Sequence, residues 1–188
     1  MTGHDSGRLR LWNADTGSTI NFLEHRNAVS CLAVAHNRKG DESVLSGSLD
    51  GRVGVWDVLR RKASRPQLLS MFEAHPRAEV LCVLFDASRE AIVTGGTDRM
   101  LRVWGAVAHE LQAEIAAHSD AVTCLALDGN FLFSGSEDNS VAMWDVVAAC
   151  AKWREAVFAK VCYLYQLFCA LLSWLVSVSA FKLKSYTE

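Results

Sequence analysis

The stretch Val44-Leu-Ser-Gly-Ser-Leu-Asp-Gly-Arg-Val-Gly-Val-Trp-Asp57 decides the fold, because the chain repeats it. Val93-Thr-Gly-Gly-Thr-Asp-Arg-Met-Leu-Arg-Val-Trp104 is a second copy and Phe133-Ser-Gly-Ser-Glu-Asp-Asn-Ser-Val-Ala-Met-Trp-Asp145 a third. Thr2-Gly-His-Asp-Ser-Gly-Arg-Leu-Arg-Leu-Trp12 is a fourth that starts late, with Ser6 in the place of the aspartate. The register is strict. A hydroxyl residue (Ser46, Thr94, Ser134) is followed by an aspartate (Asp50, Asp98, Asp138) and then a tryptophan (Trp56, Trp104, Trp144), with a histidine upstream of each (His25, His75, His118). Successive tryptophans, counted from Trp12, are 44, 48 and 40 residues apart.

A period near 40 that closes on Trp-Asp marks one four-stranded blade per repeat, and at these residues the chain resembles the WD40-repeat family. The resemblance covers residues 1–148; the Trp-Asp pair is intact at Trp56-Asp57 and Trp144-Asp145 and reads Trp12-Asn13 and Trp104-Gly105 elsewhere. It implies an all-β fold, a partial and open propeller of about three to four blades, with a half blade at 1–24, blades at 25–74, 75–117 and 118–148, and a hydrophobic helical tail at 149–188. The apolar runs place thirteen strands in that arc. The last blade is expected to lack its fourth strand, Ala148–Ala159 to be helical, and each end blade to expose an apolar face. The strands read apolar on both sides, as in Val53/Val55 and Leu101/Val103, which suits a blade packed between two neighbours.

The resemblance also gives the repeated polar residues a structural role. In this family the histidine, hydroxyl, aspartate and tryptophan form one buried hydrogen-bonded set. Carried over, Asp50 accepts from one nitrogen of His25, and the other nitrogen meets Ser46, which accepts from the indole N–H of Trp56. The same reading applies to His75, Thr94, Asp98, Trp104 and to His118, Ser134, Asp138, Trp144. His, Ser and Asp together also invite a catalytic triad, but three copies at one spacing, each tied to a tryptophan, point to scaffold. No catalytic, cofactor or metal site is expected, since the three histidines belong to different blades. Gly47, Gly95 and Gly135 lie inside strands, which suits close packing at the narrow centre of a propeller. Cys31, Cys82 and Cys124 hold one place in three repeats and read as buried thiols in a reduced compartment.

The net charge of −2 over 188 residues argues against an electrostatic nucleic-acid binder, and nothing in the chain marks a small-molecule substrate. The partners expected are other proteins. Arg60-Arg-Lys-Ala-Ser-Arg65 is the one charge run, with Ser64 a candidate phosphosite three places after Arg61. An arginine two places after Trp-Asp, by which some family members dock a ubiquitin-ligase adaptor, is replaced by Leu59 and Val147. Val161–Phe181 carries no charge over 21 residues and is flanked by Lys160, Lys182 and Lys184. About 20 such residues span a bilayer as a helix. This stretch therefore reads as a truncated or alternative chain end, as a membrane anchor, or as a packed helix. The function expected is a non-catalytic interaction scaffold in the cytoplasm, part of a larger propeller protein; the alternative is a tail-anchored adaptor presenting its blades to the cytosol. Cys124–Glu137, running on to Met143-Trp144-Asp145, resembles WD-repeat proteins of cilia and flagella, which implies a cytoskeletal or ciliary setting.

Overall fold

The structure, a computed structural model, describes residues 1–36, 42–58, 66–145 and 154–159. They form four antiparallel sheets with short connections. The first holds β1 (Thr2–Gly3), β2 (Arg8–Trp12) and β3 (Thr19–Leu23). The second holds β4 (Val29–His36), β5 (Glu42–Ser48), β6 (Arg52–Asp57) and β7 (Gln67–Glu73). The third holds β8 (Val80–Asp86), β9 (Ala91–Gly96), β10 (Met100–Gly105) and β11 (Leu111–Ala116). The fourth holds β12 (Val122–Asp128), β13 (Phe131–Ser136), β14 (Val141–Asp145) and β15 (Arg154–Ala159). Each sheet is one blade of an open propeller, its strands paired in chain order.

Two strands lie beyond the thirteen expected, so the described arc carries fifteen. Thr2–Gly3 pairs with β2, which makes the first blade three-stranded rather than a half. The fourth blade is complete, because Arg154–Ala159 pairs along β14 where a helix was expected. The open ladder of β14 supplies partners for a strand, and that long-range pairing overrides the helix preference of an alanine-containing run. The rest of the expected helical tail, with Val161–Phe181, lies outside the described residues, as does Ser64. Among the described residues no helix is long and apolar enough to cross a membrane.

The hydrophobic cores lie between blades, not within them. Leu9 of the first blade packs with Val44 and Trp56 of the second. Leu45, Val53 and Val55 pack with Val80, Ile92 and Trp104 of the third. Val93, Leu101 and Val103 pack with Val122, Leu132, Ala142 and Trp144 of the fourth. The alternation on each strand therefore serves two cores at once, which is why neither side reads as polar.

The register shifts recur at the same two places in every complete blade. One falls between Val29/Cys31, Val80/Cys82 and Val122/Cys124. The other precedes the tryptophan, at Val55/Trp56, Val103/Trp104 and Met143/Trp144. Bulges re-aim side chains. Here the first sets each thiol against a glycine of the neighbouring strand, and the space is tight. A Cβ on Gly95 would lie 2.8 Å from Cys82 Sγ and 2.7 Å from Val122 Cγ1 of the next blade. Gly47 has the same surroundings, with Cys31 Sγ at 2.5 Å and Val80 Cγ1 at 2.7 Å.

Gly95→Ala is therefore expected to destabilise the chain by about 1–3 kcal/mol, the usual cost of overpacking a filled core. Chemical denaturation followed by tryptophan fluorescence measures it; equal midpoints for variant and parent would contradict the packing.

Candidate functional site

The most distinctive chemistry is the repeated polar set, and it sits at the junctions. The histidine comes from the loop that leads into a blade, the hydroxyl from its second strand, the aspartate from the following turn and the tryptophan from its third strand. In the second blade His25 Nε2 lies 2.7 Å from Ser46 Oγ, and Trp56 Nε1 donates to the same hydroxyl at 2.8 Å. His25 Nδ1 faces Asp50 Oδ2 at 3.3 Å. In the third, His75 Nε2 meets Thr94 Oγ1 at 3.0 Å, Trp104 Nε1 donates to Thr94 at 3.1 Å, and His75 Nδ1 faces Asp98 Oδ1 at 2.9 Å. In the fourth, His118 Nε2 meets Ser134 Oγ at 2.8 Å, Trp144 Nε1 donates to Ser134 at 2.9 Å, and His118 Nδ1 faces Asp138 Oδ2 at 3.2 Å. All three hydroxyls are fully buried, so no substrate reaches them in this arrangement. Each histidine carries one donor and one acceptor nitrogen when neutral, which fits an aspartate on one side and a hydroxyl on the other.

The turns that carry the aspartates share one backbone trick. The residue after each aspartate is left-handed: Gly51 at φ 81°, Arg99 at 70° and Asn139 at 63°, with Gly7 at 76° in the first blade. The turn carbonyl then reaches the loop that enters the next blade. Gly51 O accepts from the backbone N–H groups of Ala74 and His75, both at 2.9 Å, and Arg99 O accepts from His118 N at 3.4 Å. His75 is thus held by its backbone to one blade and by its ring to the next.

Several members of these sets have no sequence expectation behind them. Arg102 lies on the face of β10 that carries Trp104 and is almost wholly buried. Its Nη1 donates to Asp98 Oδ2 at 2.5 Å and lies 2.6 Å from His75 Nδ1, while Nε donates to Glu114 Oε1 at 2.8 Å. Gly54 and Ala142 hold that place in other blades, so only the structure reveals the added cation. Ser140 Oγ joins the fourth set, 3.0 Å from His118 Nδ1 and donating to Asp138. In the first blade Thr2 accepts from Trp12 Nε1 at 3.0 Å. That keeps the ten-residue spacing of Ser46 and Trp56, the one signal that finds it in sequence.

Burial pushes the imidazoles of His25 and His75 below their ordinary 6.5, and the facing aspartates offset this only in part. Burial also works against ionised Asp50, but the backbone N–H groups of Arg26 and Arg52 and the ring of His25 outweigh it and hold its carboxyl below the ordinary 3.8. Asp98 is lowered likewise, with burial overcome by Arg102 and His75. Asp138 is lowered against burial by Ser140 and the N–H of Ser119. Burial raises Cys31 to about 11 and Cys82 well above 9.0, and Cys82 is raised further by Cys31 and Cys124 on either side. Cys31, Cys82 and Cys124 form no disulfide, and among the described residues no group of three or more His, Cys, Asp or Glu is placed to hold a metal ion.

A cavity of about 620 Å³ opens between the second and third blades, away from the polar sets. Leu45, Val55, Leu69, Phe85, Ile92 and Val107 line it, and Leu69 and Val107 are 51% and 86% exposed. His109 closes one side. It is left-handed at φ 55° in the turn where His109 N donates to Gly105 O, and its ring stacks on Phe72 at 4.8 Å. Its Nδ1 is buried without a hydrogen-bond partner among the described residues.

Repeated sheets with cores between them and a satisfied polar set at each junction define the class: a repeat-built propeller scaffold. The family model for the WD domain, G-beta repeat, matches residues 17–57, 66–105 and 109–145. The chain belongs to the WD40-repeat family. It is 28% identical over 153 residues to cilia- and flagella-associated protein 52 of Mus musculus, covering 77% of this chain and 23% of that protein. It is 26% identical over 187 residues to periodic tryptophan protein 2 of Arabidopsis thaliana, covering 78% of this chain and 20% of that protein. It spans about a quarter or less of these relatives. Among solved structures it is similar to a chain of the mitotic checkpoint complex, with TM-score 0.65 and 20% identity, covering 78% of this chain and 45% of that one. The computationally designed Ika8 protein is similar with TM-score 0.64 and 26% identity, covering 84% of this chain and 46% of that one. Proteins of this family generally act as interaction scaffolds and are typically non-enzymatic.

Two outcomes follow from the polar sets. Thr94→Val leaves His75 Nε2 and the Trp104 indole without their shared partner, and an unsatisfied buried group costs about 1–3 kcal/mol. Thermal melting of the variant measures it, and a melting temperature equal to the parent's would remove the set from the stability of that blade. The second concerns pH. The folded imidazoles of His25 and His75 bind protons less tightly than unfolded ones, so stability is complete above pH 6.5 and falls as the pH drops below it. Asp50, Asp98 and Asp138, lowered in the fold, add a second loss below pH 3.8. Melting across pH 3–8 is expected to show both declines; a profile flat from pH 8 to pH 5 contradicts the first.

Proposed function

We propose that this chain is a non-catalytic protein-binding arc and that, in its biological setting, it forms part of a larger propeller protein. The observation that carries the reading is that the repeated His, hydroxyl and Asp groups are spent inside the scaffold, with their hydroxyls fully buried. What remains for recognition is surface. The cavity beside Val107 offers apolar contact at Leu69 and Val107. It suits a protein segment that brings an apolar side chain. The likeness to cilia- and flagella-associated protein 52 supports a cytoskeletal or ciliary setting. A tail-anchored adaptor is the second reading; it rests on the uncharged run Val161–Phe181.

Val107→Asp places a charge on that rim without touching a junction. Cross-linked affinity capture, followed by binding of the purified partner, is expected to lose at least about tenfold in affinity with the melting temperature unchanged. Equal affinity would remove the cavity from recognition. Carbonate extraction of membranes separates the second reading: a chain left in the extracted membrane pellet supports the anchor, and a released chain excludes it.

A further inference from the structure

The polar set of the third blade departs from the other two at one place in the sequence. The residue after the histidine is Arg26 in the second blade and Ser119 in the fourth, but Pro76 in the third. Arg26 and Ser119 each donate the backbone N–H to Oδ2 of the aspartate in their set, Asp50 and Asp138, both at 2.9 Å. Proline has no N–H to give. In the third blade Oδ2 of Asp98 takes Arg102 Nη1 instead, at 2.5 Å. Gly54 and Ala142 hold the place of Arg102 in the other two blades and carry no side-chain donor. The guanidinium supplies the donor that Pro76 lacks.

This exchange changes what His75 can do. Its Nδ1 has Asp98 Oδ1 at 2.9 Å and Arg102 Nη1 at 2.6 Å. A ring nitrogen offers either a proton or a lone pair, and a guanidinium only donates. With a proton, Nδ1 serves Asp98 but sets two donors against each other at the shorter contact. Without one, it accepts from Arg102. Asp98 keeps its partners in the second case, because Arg102 holds Oδ2 and Met100 N donates to Oδ1 at 3.2 Å. The two hydrogens on Nη1 then go to His75 and Asp98, while Nε and Nη2 hold Glu114 Oε1 at 2.8 and 2.6 Å. The other side of the ring agrees. His25 Nε2 and His118 Nε2 lie 2.7 and 2.8 Å from their serine hydroxyls, as short as when a hydroxyl donates. His75 Nε2 lies 3.0 Å from Thr94 Oγ1, the usual length when an N–H donates.

We propose that Arg102 and a proton compete for the one lone pair on His75 Nδ1, which makes the polar set of the third blade a latch that acid opens. His75 is fully buried. Asp98 faces its ring from the turn after β9, Arg102 from β10 and, beyond the guanidinium, Glu114 from β11. Its other neighbours in the set, Thr94 and Trp104, are uncharged, and the second blade meets its backbone through the carbonyl of Gly51. A proton on Nδ1 turns the acceptor into a donor and drives Arg102 off the ring. That strips Asp98 of the donor that replaces the missing N–H. In the second blade the proton arrives at Nε2, where the Ser46 hydroxyl turns from donor to acceptor. His25 Nδ1–H stays on Asp50, and Arg26 N still holds the same carboxylate. Acid therefore loosens the set at His75 before the set at His25.

Nitrogen NMR of the histidine rings in the full chain tests this, with each ring assigned through its backbone. At about pH 8, above the ordinary histidine range, His75 is expected as the Nε2–H tautomer, and His25 and His118 as the Nδ1–H tautomer. Arg102→Met is expected to return His75 to the Nδ1–H form and to raise the midpoint of its titration by about one pH unit or more, since a neighbouring like charge is gone. Pro76→Ala, at an exposed position, restores the backbone donor to Asp98. The fall in melting temperature caused by Arg102→Met is therefore expected to be smaller in the Pro76→Ala background than in the parent, because the two sites share Asp98. Should Arg102→Met not fold alone, the double variant carries the same ring measurements. The double variant is also expected to lose less melting temperature than the parent on acidification from about pH 8 to about pH 5. The proposal is overturned by a parent His75 in the Nδ1–H form, or by a tautomer that removing Arg102 leaves unchanged. It is overturned equally by a cost of Arg102→Met that Pro76→Ala does not reduce, or by equal losses on acidification.

Discussion

A blade of this chain has no interior of its own. It is a single twisted sheet with two packing faces, and apolar side chains leave water only where one sheet meets the next. Leu45, Val53 and Val55 on one face of the second blade are buried by Trp104 and Ile92 of the third, and on its other face Trp56 is buried by Leu9 of the first. Stability then resides in nearest-neighbour interfaces, as in other repeat arrays. Everything else in the structure serves those interfaces: the glycines that let a thiol and a valine approach, the bulges that turn Cys82 and Trp104 inward, and the turns that hold one blade against the loop entering the next.

The polar sets make the interfaces specific. A core of valines and leucines tolerates sliding, but a histidine held by its backbone to one blade and by its ring to another does not. His75 takes backbone support from Gly51, faces Asp98, and shares Thr94 with Trp104. Because each member is satisfied by the others, the set rigidifies the junction, whereas a partly satisfied one would be costly in so dry a place. The third blade goes further by adding Arg102, a buried cation held between Asp98 and Glu114. Buried charge is weak evidence for stability in itself; its geometry here fixes the side chains around His75.

Much of this was legible in the sequence because the repeat enforces it. The spacing of Ser46, Asp50 and Trp56, met again at Thr94, Asp98, Trp104 and at Ser134, Asp138, Trp144, set the order of the blades and placed the glycines at close contacts. What was illegible depends on partners that no local pattern names. Arg154–Ala159 forms a strand because β14 offers it a ladder, and its composition gives no warning. Thr2 was hidden by the absence of a histidine upstream. Arg102 looked like one polar residue among Gly54, Ala142 and Arg10, since the pairing with Glu114 arises across strands. The first blade's outer face is a related case: an apolar face was expected because the arc is open, and the pleat turns Leu9 inward and Arg8, Arg10 and Trp12 out.

The thiols give the junctions an unplanned sensor. Cys31 and Cys82 stand where neighbouring blades touch, and burial lifts both so far that at neutral pH almost none is thiolate, the form that reacts. Cys82 is the one of the three that is buried, in the core between the third and fourth blades. An alkylating reagent meets an inert Cys82 as long as those two blades are closed. When they part, its thiol regains an ordinary acidity and water at the same moment, so the rate of its modification is a clock for the opening of that junction.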